Sequence, residues 1–388
     1  MTSPTKNCYT TSMPKPLSYI ELSKHNLLSN IKQFGSILPK GQKLVAVVKA
    51  NAYGHGLKEV VSISHAYIDY FQVDDIAELT EIRKYTNKPV LVFGYVALDQ
   101  LDLIFKHNAV LGVYNTETVE TLNRLALKNK QNIKIHLKMD AFLGRQGIMK
   151  EDLEKYISLI KKTKYIQLES IYTHFSNIED VDNLNHADKQ FEELLKAKEI
   201  VKSLGFPNIS HHVSATSGFL TDQDKNWESS LLRLGIGMYG LWPSASLKNK
   251  LSKKIVLKPV MRWITKLAQI KSIPKGFPIG YGLTFVTKRK TKIGIVPQGY
   301  SDGYDRGFSN NSTVLVRGKR CPVLGRVAMN IFVVDLTNVK GVHLEDEVVL
   351  LGNQEKATIS ADELANKINT INYEIVARVS SLLDRVVV

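Results

Sequence analysis

Val45-Ala46-Val47-Val48-Lys49-Ala50-Asn51-Ala52-Tyr53-Gly54-His55-Gly56 is the stretch from which the rest of the chain is read. Its first four residues are apolar and mostly β-branched, which predicts a buried strand. Lys49 ends that strand, and Gly54 and Gly56 allow a tight turn behind it. A lysine at the end of a buried strand is partly desolvated, which favours the neutral amine and frees it for nucleophilic or Schiff-base chemistry. The same placement suits a lysine that merely snorkels out of a strand end. The stretch by itself leaves both readings open.

Outward from Lys49, the chain alternates strand-like and helical patterns. Candidate strands are Lys43–Val48, Tyr67–Val73, Pro89–Phe93, Val110–Tyr114, Ile133–Lys138, Ile166–Thr173, Ile209–Val213 and Leu234–Tyr239. Stretches of helical period such as Asp152–Thr163 and Ala187–Ser203 lie between them. Such alternation predicts an α/β TIM (β/α)8 barrel over residues 16–250, with its chemistry at the C-terminal ends of the strands. After about Leu251 the texture changes. Strand-like runs (Met261–Ile273, Lys292–Val296, Thr313–Val316, Val323–Val334 and Glu347–Leu351) are punctuated by Gly and Pro, and they predict a mainly antiparallel β domain over residues 251–388. A short helix, Ala361–Ile368, is expected behind Ser360 as its N-cap, and a strand at Arg385–Val388. Residues 1–15, rich in Ser, Thr, Pro and Lys, are expected to be disordered.

Composition narrows the function classes. Hydrophobic residues make up 44% and charged residues 23% of the 388, as in an ordinary globular protein. No apolar run reaches the length of a membrane helix, and no signal-peptide core is visible, so a cytoplasmic protein is expected. The two cysteines, Cys8 and Cys321, cannot make a disulfide framework. The net charge of +15 raises the question of a nucleic-acid partner. The lysines are scattered and no nucleic-acid-binding motif is present, so the basic surface is read as suiting an anionic small molecule. No metal is expected.

Polar residues gather at the expected ends of different strands: Lys49 and Tyr53; Lys138 through Arg145; Tyr172-Thr173-His174; Ser214; and Arg233-Leu234-Gly235-Ile236. Each has a structural explanation when taken alone. His174 could be a satisfied core histidine, Arg233 a surface ion pair and Ser214 a helix cap. Taken together, at successive barrel strand ends, they converge on one mouth.

From Pro16 to Arg385 the order and spacing of these motifs resemble the bacterial alanine racemases, which belong to the fold type III pyridoxal-phosphate (PLP) enzymes. The resemblance implies PLP-dependent racemisation of alanine, with Lys49 carrying the cofactor and serving as one acid/base. It implies that Arg233 faces the pyridine nitrogen, that His174 bridges Arg233 to a catalytic tyrosine, and that Tyr53, Ser214, Gly235 and Ile236 hold the phosphate. Arg145 would pair with the phenolic oxygen or the substrate carboxylate, braced by a carbamylated Lys138. Ile279-Gly280-Tyr281-Gly282 matches the segment of the second base, and Met329 would offer its N–H to the substrate carboxylate. The resemblance also implies a homodimer in which Tyr281 serves the barrel of the other copy, and D-alanine supply for peptidoglycan. Racemisation needs one proton-transferring group on each face of the α-carbon, which is why two bases are expected.

This chain departs from the family pattern in places. Asn330 stands where an aspartate is usual, Ser381 where some members place a tyrosine, and Phe142-Leu143 replaces a Gly-Met type pair. These changes motivate two other readings: a racemase of serine or basic amino acids on the same scaffold, and a PLP-binding protein without racemase activity.

Overall fold

The computed structural model describes residues 16–162, 164–179, 182–221 and 227–388, so the N-terminal extension expected to be disordered lies outside the described residues. The chain forms two compact units. One holds residues 21–261 with 360–381 and the last two residues, and the other holds residues 262–359 with 382–386 and the N-terminal piece.

The first unit is built on eight parallel strands, labelled here β1 (Lys43–Val47), β2 (Tyr70–Val73), β3 (Val90–Val92), β4 (Val110–Val113), β5 (Ile133–Lys138), β6 (Ile166–Tyr172), β7 (Ser210–His212) and β8 (Leu231–Leu234). Each pairs with its sequence neighbour from β1 to β7, and β8 returns to pair with β1. A parallel bridge between Ala215 and Arg233 draws the two ends of the sheet together, giving a nearly closed barrel. Its strands are buried on both faces because helices cover the outside, which explains their continuous apolar runs. Val45, Leu91, Phe93, Val110, Tyr172 and Leu231 form one interior cluster.

Helix starts follow local chemistry. Ser23, Asp75 and Ser244 each accept a backbone N–H of the first turn, which satisfies a donor the helix cannot. Ser360 does the same for the helix Ala361–Lys367, as its sequence predicts. That helix and the next, Asn372–Ala377, cluster with the barrel rather than with the β strands that precede them. The anchor is Asn372, whose amide donates to Trp242 O at 2.9 Å and Asp362 Oδ1 at 2.6 Å.

In the second unit an antiparallel sheet runs in the order Gln269–Ile273, Thr291–Val296, Phe332–Asp335, Lys319–Leu324, Thr313–Val316, Glu347–Gln354, Met261–Lys266. The Tyr19–Leu22 and Asp384–Val387 strands extend it at one edge.

Three expected strands need correction. Leu234–Tyr239 is not a strand: β8 ends at Leu234, and Ile236–Tyr239 is a 3-10 turn. The apolar run hid the break at Gly235, whose φ −102°, ψ −111° no strand contains, and it misplaced Arg233 ahead of the strand it belongs to. Val323–Val334 splits at Gly325 (φ 74°) into two strands separated by a loop, and Met261–Ile273 splits after Lys266.

Candidate active site

The backbone behind β1 is unusual. Ala50, Asn51, Ala52 and Tyr53 are all left-handed, with φ of 52–54°. A β-carbon makes that conformation costly, by about 1–2 kcal/mol per residue, so it persists only where the surroundings fix it. Here they do. Ala52 N donates to Val48 O, Gly54 N to Ala50 O, Gly56 N to Asn51 O and Leu57 N to Asn51 Oδ1, at 2.8–2.9 Å. Glu78 takes Ala50 N at 2.5 Å and Asp74 N at 2.8 Å, tying the turn to the end of β2. Gly54 cannot carry a side chain, because a Cβ there would lie 1.9 Å from Val376 O. The turn throws Lys49 and Tyr53 toward the same side.

Both open into a cavity of about 460 Å³ in the barrel unit. Lys138, Arg145, His174, Arg233, Gly235 and Ile236 line it too, so eight of the residues singled out from the sequence meet in one place. Ser214 does not line it. That residue is 2% exposed, and its carbonyl accepts Arg233 N at 3.1 Å, while the next three residues, Ala215, Thr216 and Ser217, reach the cavity. Tyr281 and Met329 lie in the other unit, 74% and 55% exposed.

Charge in the cavity is predominantly positive, with Lys49, Lys138, Arg145 and Arg233 set against Asp74 and Glu179. The Lys49 ammonium lies 3.8 Å from Asp74 and its side chain is 44% exposed. The desolvation expected at Lys49 falls instead on Lys138, which is 4% exposed. Burial and the neighbouring Arg145 and Arg233 push its amine down to about 8. Lys138 Nζ donates to Gln146 Oε1 at 2.9 Å. The cavity cations act on His174 as well: burial first, then Arg233 and Arg145, push the imidazole down to about 3, so it is neutral at physiological pH.

Arg233 points inward from β8. Its Nη2 donates to Thr173 O at 2.9 Å and Val213 O at 2.6 Å. It makes no hydrogen bond to the His174 side chain among the described residues, so the expected bridge from Arg233 through His174 is absent. Carbonyls, not an imidazole, take this guanidinium.

The strand-to-turn transition after β8 brings Gly235 and Ile236 to the cavity wall beside Thr216. Gly235 N and Gly237 N point at Thr216 Oγ1, 3.0 and 3.5 Å away. A Cβ on Gly235 would come within 2.9 Å of Tyr53 Oη, so this glycine keeps room beside the tyrosine hydroxyl. Burial, with Glu179 and Asp74 nearby, pushes the Tyr53 phenol up to about 12, so it stays a donor. The Ile236 N–H and the Tyr53 and Thr216 hydroxyls, the last with its proton left to give because its oxygen accepts the two N–H groups, form an anion cradle.

Tyr373 and Glu179, not singled out from the sequence, also line the cavity. Tyr373, on the helix Asn372–Ala377, packs its ring 6.2 Å from Tyr53 and donates to Glu179 Oε1 at 3.4 Å. Glu179 also accepts from Ser217 Oγ at 2.5 Å. Ser381, where some family members place a tyrosine, is exposed; the C-terminal tyrosine of this cavity is Tyr373. Its sequence signal is the apolar 3.6-period of Ile371 through Val376, just past the expected helix Ala361–Ile368.

Comparison with known proteins adds to this geometry. The alanine racemase N-terminal domain matches residues 22–243 and the alanine racemase C-terminal domain residues 260–387. Alanine racemase 2 of Caldanaerobacter subterraneus is 35% identical over 95% of this chain and 94% of its own length, and the alanine racemase of Halothermothrix orenii is 36% identical over 95% and 96%. The crystal structure of an alanine racemase from Bacillus anthracis with bound L-Ala-P superposes with a TM-score of 0.90 at 29% identity, covering 97% of this chain and 96% of that one.

Proposed function

The chain belongs to the alanine racemase family and with it to the isomerases that racemise alanine; from that premise we propose that it works on pyridoxal phosphate held in the barrel cavity, with Lys49 and Tyr281 of the partner subunit as the two proton-transferring groups. The observation that carries this is the meeting of Lys49 with Tyr53, Arg145, Arg233 and the Gly235–Ile236 backbone in one cavity. The residues fit the cofactor. The anion cradle at Gly235 and Tyr53 suits a phosphate, the cavity's net positive charge suits phosphate and carboxylate together, and Lys49 supplies the amine that would hold the aldehyde carbon.

Bound there, pyridoxal phosphate supplies an electron sink for the α-carbon when its proton leaves. The Gly235–Ile236 backbone and the Tyr53 hydroxyl would hold the phosphate, with Ser214 behind them. Arg233 would face the ring nitrogen, where its positive charge would disfavour a proton on that nitrogen and moderate the sink. Arg145 and the N–H of the partner subunit's Met329 would orient the substrate carboxylate. Lys49 moves a proton at the α-carbon on one face and Tyr281 of the partner subunit on the other. His174, held neutral, adds no charge to the cavity. The depressed Lys138 amine is partly neutral near pH 8, which is the form that reacts with carbon dioxide, and this supports a carbamylated Lys138 beside Arg145. The product serves peptidoglycan precursors in the cytoplasm, and the working unit is a homodimer. Among the described residues no helix is long and apolar enough to cross a membrane.

The test is a racemisation assay with chiral readout, run on protein stripped of cofactor and then on the same protein given pyridoxal phosphate, with serine, lysine and arginine beside alanine. Alanine should racemise in both directions only with the cofactor, and the protein should gain a visible band that borohydride removes. A protein that takes up no cofactor ends the proposal. Serine or a basic amino acid turned over faster than alanine moves it to the broader racemase reading.

A further inference from the structure

A line of buried polar groups crosses the barrel interior beneath Arg233, and nothing in the mechanism above uses it. His136 on β5 and His212 on β7 are 4% and 0% exposed, and their rings meet at His136 Nδ1 and His212 Nε2, 3.0 Å apart. On the far side of His136 lies the Glu169 carboxylate of β6, 3.9 Å from Nε2 and itself paired to Lys134 at 2.6 Å. At 3.9 Å this is no hydrogen bond, yet it is close enough to decide which ring nitrogen keeps the proton.

We propose that His136 and His212 are positioning residues for Arg233: the Glu169–His136–His212 line fixes a single pair of ring tautomers, and His212 so held sets the carbonyls that grip the guanidinium. The first half follows from donor and acceptor counting. A neutral imidazole has one N–H and one bare nitrogen. The Glu169 charge favours the proton on His136 Nε2, which leaves His136 Nδ1 bare. His212 must then donate from Nε2, leaving its own Nδ1 bare. The opposite arrangement would turn a bare nitrogen toward a carboxylate and bury an N–H on His212 with no acceptor, because His212 Nδ1 has no partner among the described residues. Burial keeps both rings neutral, pushing His136 down and His212 well below the usual histidine range, while His136 and then Lys134 hold the Glu169 carboxyl below its usual range against burial.

The second half follows from sequence adjacency. The His212 ring stacks on Tyr172 with centroids 4.9 Å apart and planes 11° from parallel, and Phe93 stacks on Tyr172 in turn at 4.4 Å. The residues that follow this stacked pair are Thr173 and Val213, whose carbonyls are the two acceptors of Arg233 Nη2. Fixing His212 against Tyr172 therefore fixes both acceptors. The Arg233 guanidinium carbon sits 5.7 Å from the Tyr172 ring centre, so the stack also lies beneath the cation it places.

What Arg233 does once placed rests on the reading in the previous subsection; the tautomers do not. Long-range proton–nitrogen spectra of histidine-labelled protein, with the two rings assigned through His136→Phe and His212→Phe, read them directly and need no turnover. Both rings should carry the proton on Nε2 with Nδ1 bare at pH 7. A proton on either Nδ1, or a charged ring, overturns the proposal, as does Glu169→Ala leaving the His136 tautomer unchanged. In the holoenzyme, His212→Phe keeps a ring for the stack but cuts the line. It should lower kcat by about 10-fold while cofactor affinity stays within about 2-fold, the range in which removing an orienting partner acts. Glu169→Ala should do the same, whereas Lys134→Ala, which removes only the surface ion pair, should stay within about 2-fold of the parent. Equal losses from Lys134→Ala and Glu169→Ala, or full activity in His212→Phe, would show that the line positions nothing.

Discussion

The barrel cavity and the two loops of the β unit that carry Tyr281 and Met329 are built in opposite ways. In the barrel, side chains are placed by strands and held by burial: Arg233 is 6% exposed, Lys138 4%, and their proton affinities are displaced by what surrounds them. In the β unit, Tyr281 follows Gly280 (φ 70°) and precedes Gly282 (φ 72°), and the loop from Gly325 to Ile331 shows Met329 and Ile331 at 55% and 48% exposure. Hydrogen bonds such as Gly325 N to Asn310 Oδ1 at 2.6 Å fix the loop backbone and leave the side chains free to meet something else. The difference teaches where each kind of property comes from. Buried groups with displaced proton affinities, such as Lys138 and Arg233, sit in the barrel, and exposed side chains such as Tyr281 and Met329 sit on the loops.

Lys49→Ala should break the barrel side completely. On the proposed mechanism the amine that would hold the cofactor and one proton-transferring group go together, so alanine racemisation should fall by about 10³-fold or more, measured by chiral assay, with loss of the visible band. Tyr281→Ala should also remove activity but leave the band, since nothing in the barrel cavity is touched. Mixing the two inactive chains then tests whether the loop side serves another copy. In a mixed two-fold dimer with crossed sites, one site carries both lesions and the other neither. With random pairing about a quarter of all sites are intact, and activity should return to about that fraction of the parent. A mixture that stays inactive, with mixed dimers confirmed by mass, rejects crossed sites.

Gly235→Ala sharpens the contrast from the cofactor end. The new Cβ would meet Tyr53 Oη at 2.9 Å, and Tyr53 is pinned between the left-handed turn and the rings of Tyr239 and Tyr373. The cradle must widen, and we expect cofactor affinity to weaken by on the order of 10-fold, or about 1.4 kcal/mol, by absorbance titration. Alanine KM at saturating cofactor should barely move. Unchanged cofactor affinity would mean the phosphate lies elsewhere.

The same contrast governs what could be read from the sequence. Barrel strands announce themselves through unbroken apolar runs, and their ends gave Lys49, Lys138, His174 and Arg233 to one cavity. Periodicity carries no sign of φ, so the left-handed run Ala50–Tyr53 was invisible, and Gly235 was absorbed into a strand that ends one residue earlier. Hydrogen-bond partners were legible only as chemistry: that Arg233 needs acceptors was clear, but that Thr173 and Val213 carbonyls would supply them, rather than His174, depends on three strands meeting. Tyr373 and Glu179 were missed because each comes from a segment with no motif of its own, brought to the cavity by docking alone.

Asn330→Asp is the smallest perturbation and probes how the loop side is held. Asn330 Nδ2 donates to Ser301 Oγ at 2.7 Å, and the Ser301 hydroxyl donates onward to Met329 O at 2.8 Å, beside the backbone bond from Ser301 N to the same carbonyl at 3.1 Å. The order matters, because a hydroxyl has one proton to give. An aspartate at 330 can only accept, so Ser301 would turn its proton toward the carboxylate and leave Met329 O with the backbone N–H alone. One exposed hydrogen bond on the Met329 loop is exchanged for another, a change of about 0.5–1 kcal/mol at most. We therefore expect kcat/KM for alanine to change by about 5-fold or less, with the cofactor band untouched. The sharper reading is a double-mutant cycle with Ser301→Ala. Removing the hydroxyl removes the link between position 330 and Met329, so Asn330→Asp should have no further effect on kcat/KM in that background. If the aspartate changes kcat/KM equally with and without Ser301, it acts through its charge on the substrate rather than through the Met329 loop, and the loop side of the site is then electrostatic rather than merely presented.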